Sequence, residues 1–118
     1  MILRLALVLI LIGIAYLSLT PLETISVGND KLGHFIAYTV LMTTIGLLTL
    51  PKMKSFRKGI IAALFYGALM EVGQYFVPGR FTSGYDMVAN ATGVLIGILI
   101  TVLFHKSIKR LLKTARII

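Results

Sequence analysis

The sequence predicts an all-α membrane protein with four transmembrane helices in a single domain over residues 1–118. Of these residues, 58% are hydrophobic and only 14% are charged, whereas a soluble globular domain has about 25% charged residues. The apolar residues fall in four long continuous runs, while a membrane β-barrel would need many alternating segments of about ten residues. The chain has no cysteine, which excludes disulfides and thiolate metal sites. A soluble enzyme and a disordered tail are both excluded by this composition.

The ends of the four spans follow from length and from proline. A helix needs about 17–25 apolar residues to cross a membrane, and proline ends a helix because it lacks an N–H group. Pro21, Pro51 and Pro78 therefore end the first three runs. The first run has a second interpretation as a cleaved signal peptide, since Arg4 precedes a short apolar core, but the segment 18–20 is a poor cleavage site and we expect the run to be retained. The predicted spans cover about 5–20, 32–50, 59–77 and 84–104, followed by a basic tail over 105–118.

The basic residues are divided unevenly between the two sides of the predicted bundle. Ten of the twelve lie before the first span, between the second and third spans, or in the tail, and only Lys31 and Arg80 lie on the other side. Because cytoplasmic loops carry the excess of Lys and Arg, we expect both termini to be cytoplasmic in a multi-pass plasma-membrane protein. The tail combines apolar and basic residues at helical spacing, which predicts a basic amphipathic helix on the anionic inner leaflet. No aromatic residue for stacking lies among its basic residues, so nucleic acid is not a predicted partner.

Polar residues concentrate toward one end of three of the spans. Asp30, His34 and Tyr38 are spaced to share one helix face, and so are Glu71 with Gln74 and Asp86 with Asn90. Since an ionised carboxylate in hydrocarbon is costly, such residues are expected to pair or to face a cavity. We therefore predict one extracytoplasmic ligand-binding site. Its candidate residues are Asp30, Lys31, His34, Tyr38, Glu71, Gln74, Arg80, Ser83, Asp86 and Asn90.

Several of these residues also have purely structural interpretations. Glu71 is the most informative, because an ion pair with Arg80 would lock the bundle without binding a ligand. Asp30 is suited to cap the second span, and the segment 83–86 fits a capping box at the start of the fourth. The glycine pair in 93–97 is most simply a close helix-packing surface.

The sequence offers little evidence of catalysis or of a cofactor. His34 and His105 are expected on opposite sides of the membrane, and a set of His34, Glu71 and Asp86 has no diagnostic metal-ligand spacing. No phosphate-binding glycine loop is present. We therefore predict neither a metal nor another cofactor. Glu71 and His34 are the candidate general bases, but no nucleophile is evident, which leaves an enzymatic activity open.

The polar residues form three strings along the chain. They are Asp30-Lys31-x-x-His34-x-x-x-Tyr38, Glu71-x-x-Gln74 and Pro78-Gly79-Arg80-x-x-Ser83-x-x-Asp86-x-x-x-Asn90-x-x-Gly93-x-x-x-Gly97. Together these strings resemble the VanZ-like family of small bacterial membrane proteins, which includes a protein associated with teicoplanin resistance. The resemblance implies a cell-envelope setting and extends from Asp30 to Gly97. Many members have an acidic residue immediately before the Glu of the third span, where this chain has Met70, and this difference weakens any two-carboxylate mechanism.

Three functions fit these features. In the first, the site binds an anionic envelope lipid or precursor headgroup, and Arg80 holds its phosphate or carboxylate by a bidentate contact. In the second, the chain is a small proton-coupled transporter, although small multidrug exporters carry their Glu in the first span. In the third, the chain is a structural or accessory subunit whose polar residues only fix the packing of the bundle.

Overall fold

A computed structural model describes residues 1–20, 30–78 and 84–118, and only the backbone at residues 30 and 31. Within this part of the chain, all regular structure is helical. The four helices are α1 (Ile2–Leu19), α2 (Asp30–Thr49), α3 (Met53–Tyr75) and α4 (Gly84–Thr114). Helices α2 and α3 end close to Pro51 and Pro78, as the sequence predicts.

Three of the four described helices are long and apolar enough to cross a membrane. They are Ile2–Leu19, Leu32–Thr49 within α2, and Gly84–Thr114. Helix α3 has 23 residues, but the basic residues of its first turns and Glu71 make it more polar. Its outward face is nevertheless apolar, since Ile61, Phe65 and Val72 are largely exposed.

Two helices extend beyond the predicted membrane spans. Helix α3 begins at Met53 rather than near 59, because the basic segment after Pro51 is helical. Helix α4 continues without a break through Thr114, so the tail is not a separate helix. With 31 residues, α4 is about 46 Å long and exceeds the roughly 30 Å hydrocarbon core of a bilayer. The side-chain ammonium of Lys109 donates to the backbone oxygen of Leu50 at 2.6 Å, which joins the tail to the end of α2.

Helix α2 is the centre of the bundle and packs against the other three, most extensively against α4. The close approach depends on two glycines of α4. A Cβ atom on Gly93 would lie 2.6 Å from the Phe35 backbone oxygen, and one on Gly97 would lie 2.6 Å from the Met42 Cβ. The predicted packing role of this glycine pair is therefore confirmed. The core around the contact contains Leu41, Met42 and Val94.

Candidate functional site

Six of the ten predicted site residues lie in one buried group near one end of the bundle, which we call the polar cluster. Each of α2, α3 and α4 contributes two of them. The members are His34, Tyr38, Glu71, Gln74, Asp86 and Asn90, and all are buried. The side chains of Asp30 and Lys31, together with Arg80 and Ser83, lie outside the described residues, so their placement stays a prediction.

Helical spacing explains why these side chains face inward. His34 and Tyr38 are four residues apart on α2, and Asp86 and Asn90 are four apart on α4, so each pair shares one face. On α3, Gly67 precedes Glu71 and Gln74 on the buried face. Counted from the ends of α3 and α4, Glu71 and Asn90 are about 6 Å and 9 Å deep at 1.5 Å per residue. On α2, Tyr38 lies deeper than His34, about 12 Å from the start of the helix.

Three members of the polar cluster are ionisable and lie together. His34, Glu71 and Asp86 each offer a ligand atom, and these three atoms all lie within 4.8 Å of one another. The three residues come from three different helices, so only the tertiary packing brings them together. Placing two acidic groups and an imidazole side by side in a buried region is costly without compensating interactions.

A hydrogen bond between His34 and Asn90 connects α2 to α4. Nδ1 of His34 lies 3.1 Å from Oδ1 of Asn90, and both side chains are buried. Because an amide oxygen only accepts, Nδ1 carries the proton and donates it. In the neutral form of the ring, Nε2 is then the nitrogen that carries the lone pair.

Three other polar atoms of the cluster are buried without a hydrogen-bond partner among the described residues. They are the Tyr38 hydroxyl, Nε2 of Gln74 and Nδ2 of Asn90. The side chains are only 1%, 1% and 4% exposed, so bulk water does not satisfy them. An unsatisfied buried polar group costs about 1–3 kcal/mol, and such groups therefore point to a missing interaction.

The cluster borders a cleft between α3 and α4. The cleft has a volume of about 90 Å³, and Gly67 and Asn90 both contribute to its wall. A Cβ atom on Gly67 would lie 3.3 Å from the Tyr38 ring and 3.4 Å from Nδ2 of Asn90. Gly67 thus keeps α3 close to both side chains. Sequence reasoning missed Gly67, whose only signal is its position one turn before Glu71.

A larger cavity of about 340 Å³ lies between α1, α2 and α3. Its walls are apolar, and the Tyr66 hydroxyl is already hydrogen bonded to the backbone oxygen of Leu11. This cavity has the chemistry for a hydrocarbon chain and lacks the groups to recognise a polar ligand. Its lining consists of Leu7, Leu11, Leu41, Ile45, Gly59, Ala62, Ala63 and Tyr66.

Two comparisons with known proteins gave matches, and a third gave none. A family model described as VanZ/LLP1 matches residues 5–105. An uncharacterized protein of Schizosaccharomyces pombe is 29% identical over 101 residues, a match that covers 84% of this chain and 62% of the relative. The chain thus spans less than two thirds of that relative's length. No solved structure matches the chain. The matched family and the apolar helices together indicate a membrane protein.

Proposed function

Because the chain belongs to the VanZ/LLP1 family, we propose that it binds an anionic headgroup of an envelope lipid or precursor in the bacterial plasma membrane. The polar cluster is the binding site in this proposal. The observation that carries it is a set of three buried groups, on Tyr38, Gln74 and Asn90, that have no hydrogen-bond partner within the part of the chain that the structure describes. Each of these groups has a proton to donate, and phosphate or carboxylate oxygens accept such hydrogen bonds strongly.

Arg80 is the proposed positive charge that holds the headgroup. By sequence, it lies in the connection between α3 and α4, next to the ends that carry Gln74 and Asp86. A guanidinium group presents a planar fork that matches two oxygens of a phosphate or carboxylate. It would also offset the acidic groups of the cluster. Asp30, Lys31 and Ser83 belong to the same end of the bundle by sequence and are proposed to complete the site.

The cleft between α3 and α4 supports entry of a headgroup from the side. Its wall includes Asn90, whose side-chain nitrogen lacks a partner among the described residues. The rest of its lining is mostly apolar, so a lipid could keep its hydrocarbon part against the bundle while its polar part reaches the cluster.

The proposal includes four spans with both termini in the cytoplasm. The basic first turns of α3 and the Lys109 contact with Leu50 lie at one end of the bundle, whereas the polar cluster lies at the other. Lys and Arg mark the cytoplasmic side, so the cluster would face the outer leaflet. There, binding of a precursor headgroup would link this chain to glycopeptide tolerance, including resistance to teicoplanin.

A proton-coupled transporter is the second candidate. It is favoured by the three titratable side chains His34, Glu71 and Asp86, whose ligand atoms lie within 4.8 Å of one another, a separation that one bridging water would span for proton transfer. Glu71→Gln tests this second function. In a transporter, the variant would stay folded and keep lipid binding but lose proton coupling. If the variant does not fold, the carboxylate is structural.

The direct test measures lipid binding with two tyrosine variants. The purified full chain is titrated with phosphatidylglycerol and, separately, with phosphatidylcholine. We expect a preference for the anionic lipid that falls about tenfold or more in Tyr38→Phe, because one hydrogen bond to a charged acceptor is lost. Tyr66→Phe is the matched control, since its hydroxyl already has the Leu11 oxygen as partner. Equal binding of both lipids, or unchanged binding by Tyr38→Phe, would contradict the proposal.

A further inference from the structure

The polar cluster contains the ligand set of a metal ion as well as hydrogen-bond donors. His34, Glu71 and Asp86 offer one imidazole nitrogen and two carboxylate oxygens, all within 4.8 Å of one another. Ligand atoms about 2.1 Å from one tetrahedral ion lie roughly 3.4 Å apart. Small rotations of these side chains would therefore bring all three atoms to one ion. We propose that His34, Glu71 and Asp86 bind a divalent transition-metal ion, of which Zn²⁺ fits best.

The hydrogen bond from His34 to Asn90 prepares the imidazole for this role. Nδ1 donates to Oδ1 of Asn90 at 3.1 Å, so the neutral ring carries its lone pair on Nε2. Histidines that bind metals almost always donate their other ring proton in this way, which fixes the tautomer and the orientation of the ring. Asn90 is thus a positioning residue for the ion.

The charges of the cluster favour a divalent cation. Glu71 and Asp86 are both buried, and two carboxylates close together in a membrane protein favour the binding of positive charge beside them. A divalent ion would add to the single positive charge that Arg80 is proposed to bring. Imidazole together with carboxylate favours Zn²⁺ over Ca²⁺ and Mg²⁺, which prefer oxygen ligands alone.

The unpartnered donors provide the second, independent observation. Three protein ligands leave a tetrahedral ion one open position for water or for an oxygen of another ligand. The Tyr38 hydroxyl and the side-chain nitrogens of Gln74 and Asn90 lack acceptors among the described residues. A metal-bound hydroxide or phosphate oxygen would provide one. The inference rests on the proposal that the polar cluster binds a ligand, and it names an ion that would attract an anionic headgroup there.

Metal binding is tested on the full chain in detergent, without added lipid. The protein is stripped with a chelator, titrated with Zn²⁺ by calorimetry, and then examined with Co²⁺ for the visible absorption of a coordinated ion. We expect one ion per chain, and at least about a hundredfold weaker binding in His34→Gln, Glu71→Gln and Asp86→Asn. His105→Gln is the matched control and should bind normally, because this histidine lies near the opposite end and contacts the Thr101 backbone oxygen.

Two further measurements test the metal site even if a ligand variant fails to fold. Asn90→Ala keeps all three ligands and should weaken binding about 10–100-fold through the lost support of His34. Absence of stoichiometric Zn²⁺ and Co²⁺ binding by the unaltered chain, or equal loss of binding in His105→Gln, would overturn the metal site.

The lipid proposal is judged separately. Lipid binding that persists without any metal binding overturns only the ion, and metal binding without lipid binding overturns only the headgroup.

Discussion

Two tyrosine hydroxyls in this bundle have opposite surroundings. The hydroxyl of Tyr66 donates to the backbone oxygen of Leu11 and joins α3 to α1. The hydroxyl of Tyr38 is buried without a partner among the described residues. The same chemical group therefore stabilises the fold at one position and carries a desolvation cost at the other. Residues that bind a ligand often have this second character, because their partner is the ligand itself.

This contrast predicts opposite changes in the free energy of unfolding. Tyr66→Phe should lower it by about 1 kcal/mol, the net worth of a hydrogen bond, while Tyr38→Phe should raise it by up to about 1 kcal/mol in ligand-free protein, since an unsatisfied hydroxyl is removed. Thermal unfolding of the delipidated chain in detergent, with both variants treated identically, measures the difference. If Tyr38→Phe is as destabilising as Tyr66→Phe, the Tyr38 hydroxyl has a partner in the folded protein and the argument for a free donor fails.

At the scale of helices, the contact between α2 and α4 holds the polar cluster together. It lets His34 reach Asn90, and it depends on Gly93, where a Cβ atom would meet the Phe35 backbone oxygen at 2.6 Å. Backbone atoms cannot rotate away as a flexible side chain can. Any side chain at this position must therefore separate the two helices and, with them, the members of the cluster.

Gly93→Ala should consequently destabilise the bundle by about 1–3 kcal/mol, the usual cost of overpacking, and should also weaken ligand binding. Gly13→Ala is the matched control, because a Cβ atom on Gly13 would contact nothing within 4 Å. Alanine has the higher helix propensity, so this control should be neutral or stabilising by up to about 1 kcal/mol. Denaturation of both variants in detergent provides the comparison. Equal stability of the two would mean that α2 and α4 are farther apart at Gly93 than the 2.6 Å approach to the Phe35 oxygen requires.

Sequence patterns predicted the elements better than their exact ends. Pro51 and Pro78 marked the ends of α2 and α3 because proline acts locally. The predicted third span begins near 59 and α3 begins at Met53, since hydropathy marks where a helix enters lipid, and Lys54 and Arg57 are good helix formers outside it. The tail was expected to be helical, and the structure joins it to α4 without a break.

The composition of the candidate site was predictable, but its internal geometry was not. Spacings of three and four residues placed His34 with Tyr38 and Asp86 with Asn90, because helical faces follow from sequence. Distances between helices depend instead on packing, which left the His34 contact with Asn90 unpredicted. The grouping of His34, Glu71 and Asp86 has no sequence signature for the same reason, as its ligands come from three helices.

At the scale of the whole molecule, charge is separated along the bundle. The extended α4 carries basic residues to one end, where Lys109 contacts the end of α2, and the polar cluster occupies the opposite end. The long axis of the described structure measures 44 Å, which exceeds the roughly 30 Å hydrocarbon core of a bilayer. One end can therefore carry a dense positive charge in water while the cluster remains near the other membrane surface.

The orientation that follows is directly testable, because the chain has no cysteine and single cysteines can be introduced cleanly. If Lys and Arg mark the cytoplasmic side, Ser26→Cys should react with a membrane-impermeant thiol reagent in intact cells. Ser55→Cys, exposed in the basic first turns of α3, should react only after permeabilisation. Ser18→Cys is the control for accessibility, since Ser18 is buried and should stay unlabelled in both conditions. Labelling at 55 but not at 26 in intact cells would reverse the topology. The polar cluster would then face the cytoplasm, where an inner-leaflet phospholipid rather than an exported precursor would be the ligand to test.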